Sequence, residues 1–330
     1  MPEPAIDTTD LVFRYTRDGS DVLHGVNVRI DEGEFVALIG QNGAGKTTLA
    51  KHFNGLLKPT SGSVRVMGRD TRTASVADLA RGVGYVYQNP DHQIFAQHVR
   101  TEAAFGPRNL GLSQAEVERR VNDALALVGL DRQADDFAFS LGRGERQKLA
   151  VASVLAMEPR ILVVDEPTTG LDQAGARGIL DLLSRWNADG RTILVITHDM
   201  SLVAERIPRT IVVADGRILA DGPTRQVLSN TQLLRAAFLR PPQVTRVAQR
   251  LTDFGIKPDT LTVSELYAQI CARLGRNLCR WATASTSSGL RISTTSSTLA
   301  PSWRLWARCS CWRSHSTTRR CWVDWCCWFC

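Results

Sequence analysis

Residues 40–48 read Gly40-Gln41-Asn42-Gly43-Ala44-Gly45-Lys46-Thr47-Thr48, at the end of the apolar run EFVALIG (34–40). The stretch fits G-x4-G-K-[ST], and a β run before it with a helix after it is the context in which such a loop binds phosphate. Glycines let the backbone approach a ligand with no Cβ in the way. Backbone N–H groups of the loop and of the helix start then face phosphate oxygens. Lys46 is placed to reach the β- and γ-phosphates, and Thr47 to ligate Mg²⁺. A Gly-rich turn with an incidental Lys would need neither the strand nor the helix.

Two further apolar runs end in groups suited to the same chemistry. ILVV (161–164) leads into Asp165-Glu166. A buried parallel strand ends on the ligand side of its sheet. Asp165 is placed to hold Mg²⁺, directly or through water, and Glu166 to orient or deprotonate an attacking water. His198 follows TILVIT (192–197) and is placed to contact the γ-phosphate or that water. Gln88 follows GVGYVY (82–87) and is placed to sense Mg²⁺ and the γ-phosphate. Tyr15 offers an aromatic face for adenine. A strand aromatic in the core or on the surface is the other reading of Tyr15.

Around these motifs, β runs at 11–15, 26–30, 34–40 and 63–68 alternate with Gly-rich turns. A helix is predicted from Lys46 to near Leu57, before Lys58-Pro59. Over 113–128, Val117, Val121, Leu125 and Val128 fall on one helical face, and Ser113 with Glu116 has the pattern of a capping box. Helices near 145–157 and 173–187, strands at 161–165 and 192–197, and a strand pair around 211–222 complete the pattern. Strands alternating with helices predict a parallel sheet covered on both faces.

Composition divides the chain. The formal charge is +7, but residues 276–330 carry eight Arg and only Asp324 as acid. Residues 1–275 therefore hold 32 basic and 32 acidic side chains, which gives no electrostatic case for nucleic-acid binding. All eight Cys lie from Cys271 onward, so the body is read as a reduced, cytosolic protein without a disulfide framework. The start shows no basic region followed by an apolar one, and no secretory signal is expected. No run of about 18 apolar residues occurs, so membrane association is expected through a partner. The segment 276–330 is Ser/Thr-rich and then crowded with Trp and Cys. It is read first as an out-of-frame product and second as a disordered extension. A metal module fits least, since its cysteines form no paired C-x2-C knuckles.

The order of these elements resembles the ATP-binding domain of ABC transporters over about residues 8–240. In that family an aromatic A-loop, Walker A, Q-loop, signature, Walker B, D-loop and H-switch follow one another. Here they look like Tyr15, 40–48, Gln88, 141–145, 161–166, 169–172 with Asp172, and His198. The resemblance implies an α/β fold of P-loop NTPase type. Its mixed sheet core would carry an antiparallel β subdomain and an inserted α-helical subdomain at about 89–157. Residues 241–275 would be a helical extension. The family signature is L-S-G-G-Q, whereas this chain has Leu141-Gly142-Arg143-Gly144-Glu145. Gly142 stands where the family has a Ser that contacts the γ-phosphate held by the opposite subunit. One lost donor is worth about 0.5–1.5 kcal/mol. Backbone N–H groups at the helix start still favour phosphate, so a working but weaker composite ATP site is expected.

The stretches YQNPDHQIF (87–95) and AFGPRNLGL (104–112) look like energy-coupling factor (ECF) ATPases. FGPRN alone reads as a turn before a helix. The resemblance implies ATP hydrolysis that powers import of a micronutrient, a vitamin or a transition-metal ion. It implies a second ATPase subunit (identical or a paralogue), a transmembrane coupling protein and a substrate-binding membrane subunit, with this chain peripheral on the cytoplasmic face. Residues 89–95 would line the groove for coupling helices. Another ABC transporter class, or a soluble non-transport ABC ATPase, is the alternative. A translation factor of this kind would carry two cassettes, and only one P-loop is present. A DNA-repair ATPase would need a long coiled-coil insertion, which is absent.

Overall fold

The computed structural model describes residues 3–274; the segment 276–330, with every reading made of it above, lies outside the described residues. β1 (Ile6–Phe13) and β2 (Leu23–Ile30) largely alternate buried and exposed side chains, as strands with one face on a core do. β3 (Phe35–Ile39) is buried throughout, and the glycine loop joins it to α1 (Lys46–Phe53). β4 (Ser61–Val66), β5 (Arg69–Asp70), α2 (Val76–Ala80) and β6 (Val83–Val86) follow. Next comes a helical insertion of α3 (Val99–Asn109), α4 (Gln114–Val128) and α5 (Arg143–Leu155). The alternation then resumes with β7 (Ile161–Asp165), α6 (Gln173–Ala188), β8 (Thr192–Ile196), α7 (Met200–Arg206), β9 (Arg209–Ala214) and β10 (Arg217–Pro223). α8 (Thr224–Ser229), α9 (Thr231–Ala236), α10 (Gln243–Arg250) and α11 (Val263–Leu274) complete the described chain.

Two sheets form. An antiparallel one has the order β2-β1-β4-β5, and a six-stranded one has the order β10-β9-β3-β8-β7-β6. From β9 to β6 the large sheet is parallel, which explains why β3, β7 and β8 read as unbroken apolar runs with both faces covered. Its residues divide between two cores. Val36, Leu38, Ile161 and Val163 pack with α1 and the antiparallel sheet, while Phe35, Ala37, Ile39, Leu162 and Val164 pack with α5 and α6. The carboxyl ends of β3, β7 and β8 therefore come side by side, the position where α/β sheets bind ligands.

The large sheet is mixed, as the family resemblance implies, because β10 runs antiparallel to β9 at its edge. Several other expectations are corrected. The first strand is Ile6–Phe13 and stops short of Tyr15. α1 stops at Phe53 instead of near Leu57, since Gly55 takes a left-handed φ of 74°. Residues 105–109 belong to α3 and are not a turn. Only half of the capping box at α4 forms. Ser113 accepts from the Glu116 backbone, but the Glu116 carboxylate turns to Arg119 and Arg120. Among the described residues no helix is long and apolar enough to cross a membrane.

Candidate functional site

The loop between β3 and α1 is held in a shape that few sequences can take. At Gly40 a Cβ would sit 2.3 Å from the carbonyl oxygen of Val213 on β9, so any side chain there meets backbone that cannot rotate away. Gly43 and Gly45 have φ of 84° and 99°, the left-handed region that suits glycine. Lys46 opens α1 and donates from Nζ to the carbonyls of Gly40 and Gln41, both at 2.8 Å. Burial pulls its pKa below the ordinary lysine range, and the carboxylates of Glu166 and Asp165 push it back. Thr47 donates from Oγ1 to Asp165 Oδ2 at 2.8 Å, joining the loop to the end of β7.

Asp165 is 4% exposed, and burial raises its pKa. Hydrogen bonds from Thr47 and from the Tyr85 hydroxyl, 3.2 Å away, partly offset that. Glu166 is 5% exposed and has φ of 49°, a strained value for a residue with a side chain. Such strain persists only where surroundings hold it, and it clusters at functional sites. The Glu166 N–H donates to Ile196 at the end of β8. The carboxylate receives His198 Nδ1 at 2.8 Å. An open cavity of about 400 Å³ is lined by Tyr15, Asn42, Gly43, Lys46, Thr48, Gln88, Asp165 and Glu166, among others. At its rim the Tyr15 hydroxyl bonds Thr48 Oγ1 at 2.9 Å, with the ring 61% exposed.

A family model described as "ABC transporter" matches residues 23–169. The energy-coupling factor transporter ATP-binding protein EcfA of Methanocaldococcus jannaschii is 44% identical over 248 residues, 74% of this chain and 88% of that protein. The chain belongs to the ABC transporter ATP-binding family. Among structures, CbiO1 of Clostridium perfringens, part of the ABC transporter complex cbiONQ, superimposes with a TM-score of 0.65 and 33% identity, covering 77% of this chain and 98% of that one. The ATP-binding cassette MJ0796, seen as a dimer bound to ADP and Pi, has a TM-score of 0.61 and 27% identity, with 66% and 98% coverage. A putative ABC transporter ATP-binding protein of Caldanaerobacter subterraneus is 46% identical over 74% of this chain, which spans only 43% of that relative's length.

In this ABC cassette residues 141–145, which resemble the family signature, do not line the cavity. Leu141 is buried, Gly142 caps α5, and Arg143 and Gly144 form its first turn. Glu145 turns back to accept from the Gly142 N–H at 2.9 Å and from Gln133 Nε2 at 3.0 Å. Asp172 does not line the cavity either; its carboxylate caps α6 by accepting from Gly175 N–H at 2.8 Å. Gln41 and Ala44 belong to the loop, but Gln41 donates to the carbonyl of Phe238 at 3.3 Å.

Sequence reasoning missed three positioning residues. Tyr85 reaches Asp165 from the next strand, which parallel register allows but apolar patterning does not reveal. Gln93 ties the Tyr87 N–H to the carbonyl of Ala150 on α5. Arg146 joins Asp91, 2.9 Å away, to the carbonyl of Leu141 at 3.0 Å, linking the turn after Gln88 to the signature. The Tyr85–Asp165, Gln93–Ala150 and Arg146–Asp91 contacts all join residues far apart in sequence.

Proposed function

We propose that the chain binds and hydrolyses ATP to power import of a micronutrient, a vitamin or a transition-metal ion, through an ECF-type transporter. The observation that carries this reading is one cavity lined by the Lys46 loop, Asp165 and Glu166, in which Thr47 bonds Asp165 and to which His198, outside the lining, is tied through Glu166. Residues 8–240 would form the ATP-binding domain, with about 89–157 as its helical subdomain. Tyr15 would stack on adenine, and residues 40–48 would wrap the phosphates with Lys46 on the β- and γ-groups.

Thr47 and Asp165 suit Mg²⁺, which favours hard oxygen ligands and takes one or two from protein beside phosphates and water. The ion would neutralise charge on the phosphates, with Gln88 reaching it from the rim. Glu166 would orient or deprotonate the attacking water, and its buried carboxylate is held in place by His198. The exposed start of α5 would close on the γ-phosphate of a second ATPase subunit, and the partner's would close on this one. Loss of the γ-phosphate would release that contact and move membrane partners seated near 89–95. The identity to the M. jannaschii protein and the likeness to CbiO1 support the ECF assignment over other ABC classes. The chain would then be peripheral on the cytoplasmic face.

Two measurements separate the layers of this reading. Glu166→Gln protein with ATP and Mg²⁺ should elute as a dimer, and a monomer at saturating ATP would overturn the shared grip. Co-expression with a transmembrane coupling protein of ECF type should give a complex recovered in detergent. Failure to co-purify, with ATP-driven dimerisation intact, would overturn the ECF assignment alone.

A further inference from the structure

A second cavity, about 730 Å³, borders the phosphate loop at Gln41. Its wall comes from α9, the turn at 238–241 and α10. Arg235, Arg240, Arg246 and Arg250 line it, and no acidic side chain does. Among the described residues none of these four guanidiniums has an ion pair or hydrogen bond, whereas Arg209 sits on Glu34 and Asp221 and Arg225 on Glu265. Arg246 and Arg250 stand four apart on α10, where like charges repel. Residues 1–275 are neutral in total, so this is a local concentration of positive charge. Guanidinium forks match phosphate oxygens two at a time.

The wall also supplies an aromatic surface. Phe238 is 71% exposed with φ of 55°, and its strained turn is pinned by Gln41 Nε2 on its carbonyl and by Leu239 N–H on Leu234. The carbonyl of the same Gln41 accepts from Lys46. We propose that this cavity is a second anion site, for a soluble small molecule carrying a pyrophosphate group, whose flat or apolar part rests on Phe238. Its occupant would stand one residue's backbone away from the lysine of the phosphate loop.

Inorganic pyrophosphate is the probe, titrated calorimetrically at low ionic strength into full-length Lys46→Ala protein, in which the first site is weakened. Saturable binding should persist. It should weaken at least tenfold when Arg246 and Arg250 are also replaced by Ala, a change that favours helix α10. Gln at both positions checks the result should the Ala variant melt early. Absent binding to Lys46→Ala protein, or equal affinity with and without the two arginines, overturns the proposal. So does an arginine variant that keeps pyrophosphate affinity but loses the ATP-driven dimer, since the patch would then be a subunit contact. ATP affinity of the otherwise unaltered protein reads the first site independently.

Discussion

The cavity at the phosphate loop and the start of α5 are finished differently. In the cavity, groups are paired within the chain: Lys46 on two carbonyls, Thr47 and Tyr85 on Asp165, His198 on Glu166. At the start of α5, Glu145 is turned inward while Gly142 and Arg143 face solvent. One region has its polar groups already paired within the chain, and the other leaves the exposed first residues of a helix to solvent. That division matches the proposed grip of two chains on one γ-phosphate, and it can be tested by perturbing each side alone.

The largest effect belongs to Glu166→Gln. Removing a general base or water-positioning carboxylate lowers turnover by about 10²–10⁴-fold. Steady-state phosphate release should fall this far while ATP-driven dimerisation persists. Equal loss of both would erase the distinction between the two regions. Lys46→Ala comes next. Two charge-assisted hydrogen bonds to phosphate, at about 1.5 kcal/mol each, predict ~100-fold weaker ATP binding by calorimetry. Unchanged affinity would remove the lysine from the phosphate-binding role. Gly40→Ala tests how rigid the finished region is. Its Cβ would press on the Val213 carbonyl, and overpacking against fixed backbone costs about 1–3 kcal/mol, read as a lower denaturation midpoint.

Legibility follows the same division. The phosphate loop was readable because its chemistry and its backbone demands sit in nine consecutive residues, 40–48. β3, β7 and β8 were readable because burial on both faces leaves unbroken apolar runs. The contacts that orient those groups were not. Tyr85 lies 80 residues from Asp165, and Arg146 is far in sequence from Asp91; only the sheet order and the packing of α5 bring them together. α3 was hidden by Gly106-Pro107, which locally reads as a turn. Pro107 sits late in α3, where one missing N–H is tolerated because the helix is held by packing on α4 and α5.

Gly142→Ser probes the outward region. Its φ of −61° and ψ of 158° suit serine, and a Cβ would meet nothing closer than Glu145 Oε2 at 3.5 Å. The hydroxyl should therefore be added without distortion. One solvent-exposed hydroxyl bond at the typical net value, about 0.5–1.5 kcal/mol, predicts a ~2- to 10-fold gain in the affinity of ATP for the dimer. A gain seen in the monomer as well would show that the signature serves its own chain's nucleotide.

Gly106→Ala should have the smallest effect, and its sign is the informative part. A Cβ there would come 2.5 Å from Met157 Cγ, nearly as close as the clash at Gly40. The obstacle differs in kind, because Met157 is an unbranched side chain that can turn aside while the Val213 carbonyl is fixed in the sheet. Replacing glycine inside a helix gains about 0.5–1 kcal/mol, which offsets the cost of moving the methionine. The denaturation midpoint should thus stay within about 0.5 kcal/mol of the starting protein, against a clear loss at Gly40. A loss at Gly106 as large as that at Gly40 would mean that the α3–α5 contact is as unyielding as the phosphate loop. The insertion could not then shift its packing in response to the membrane partners proposed above.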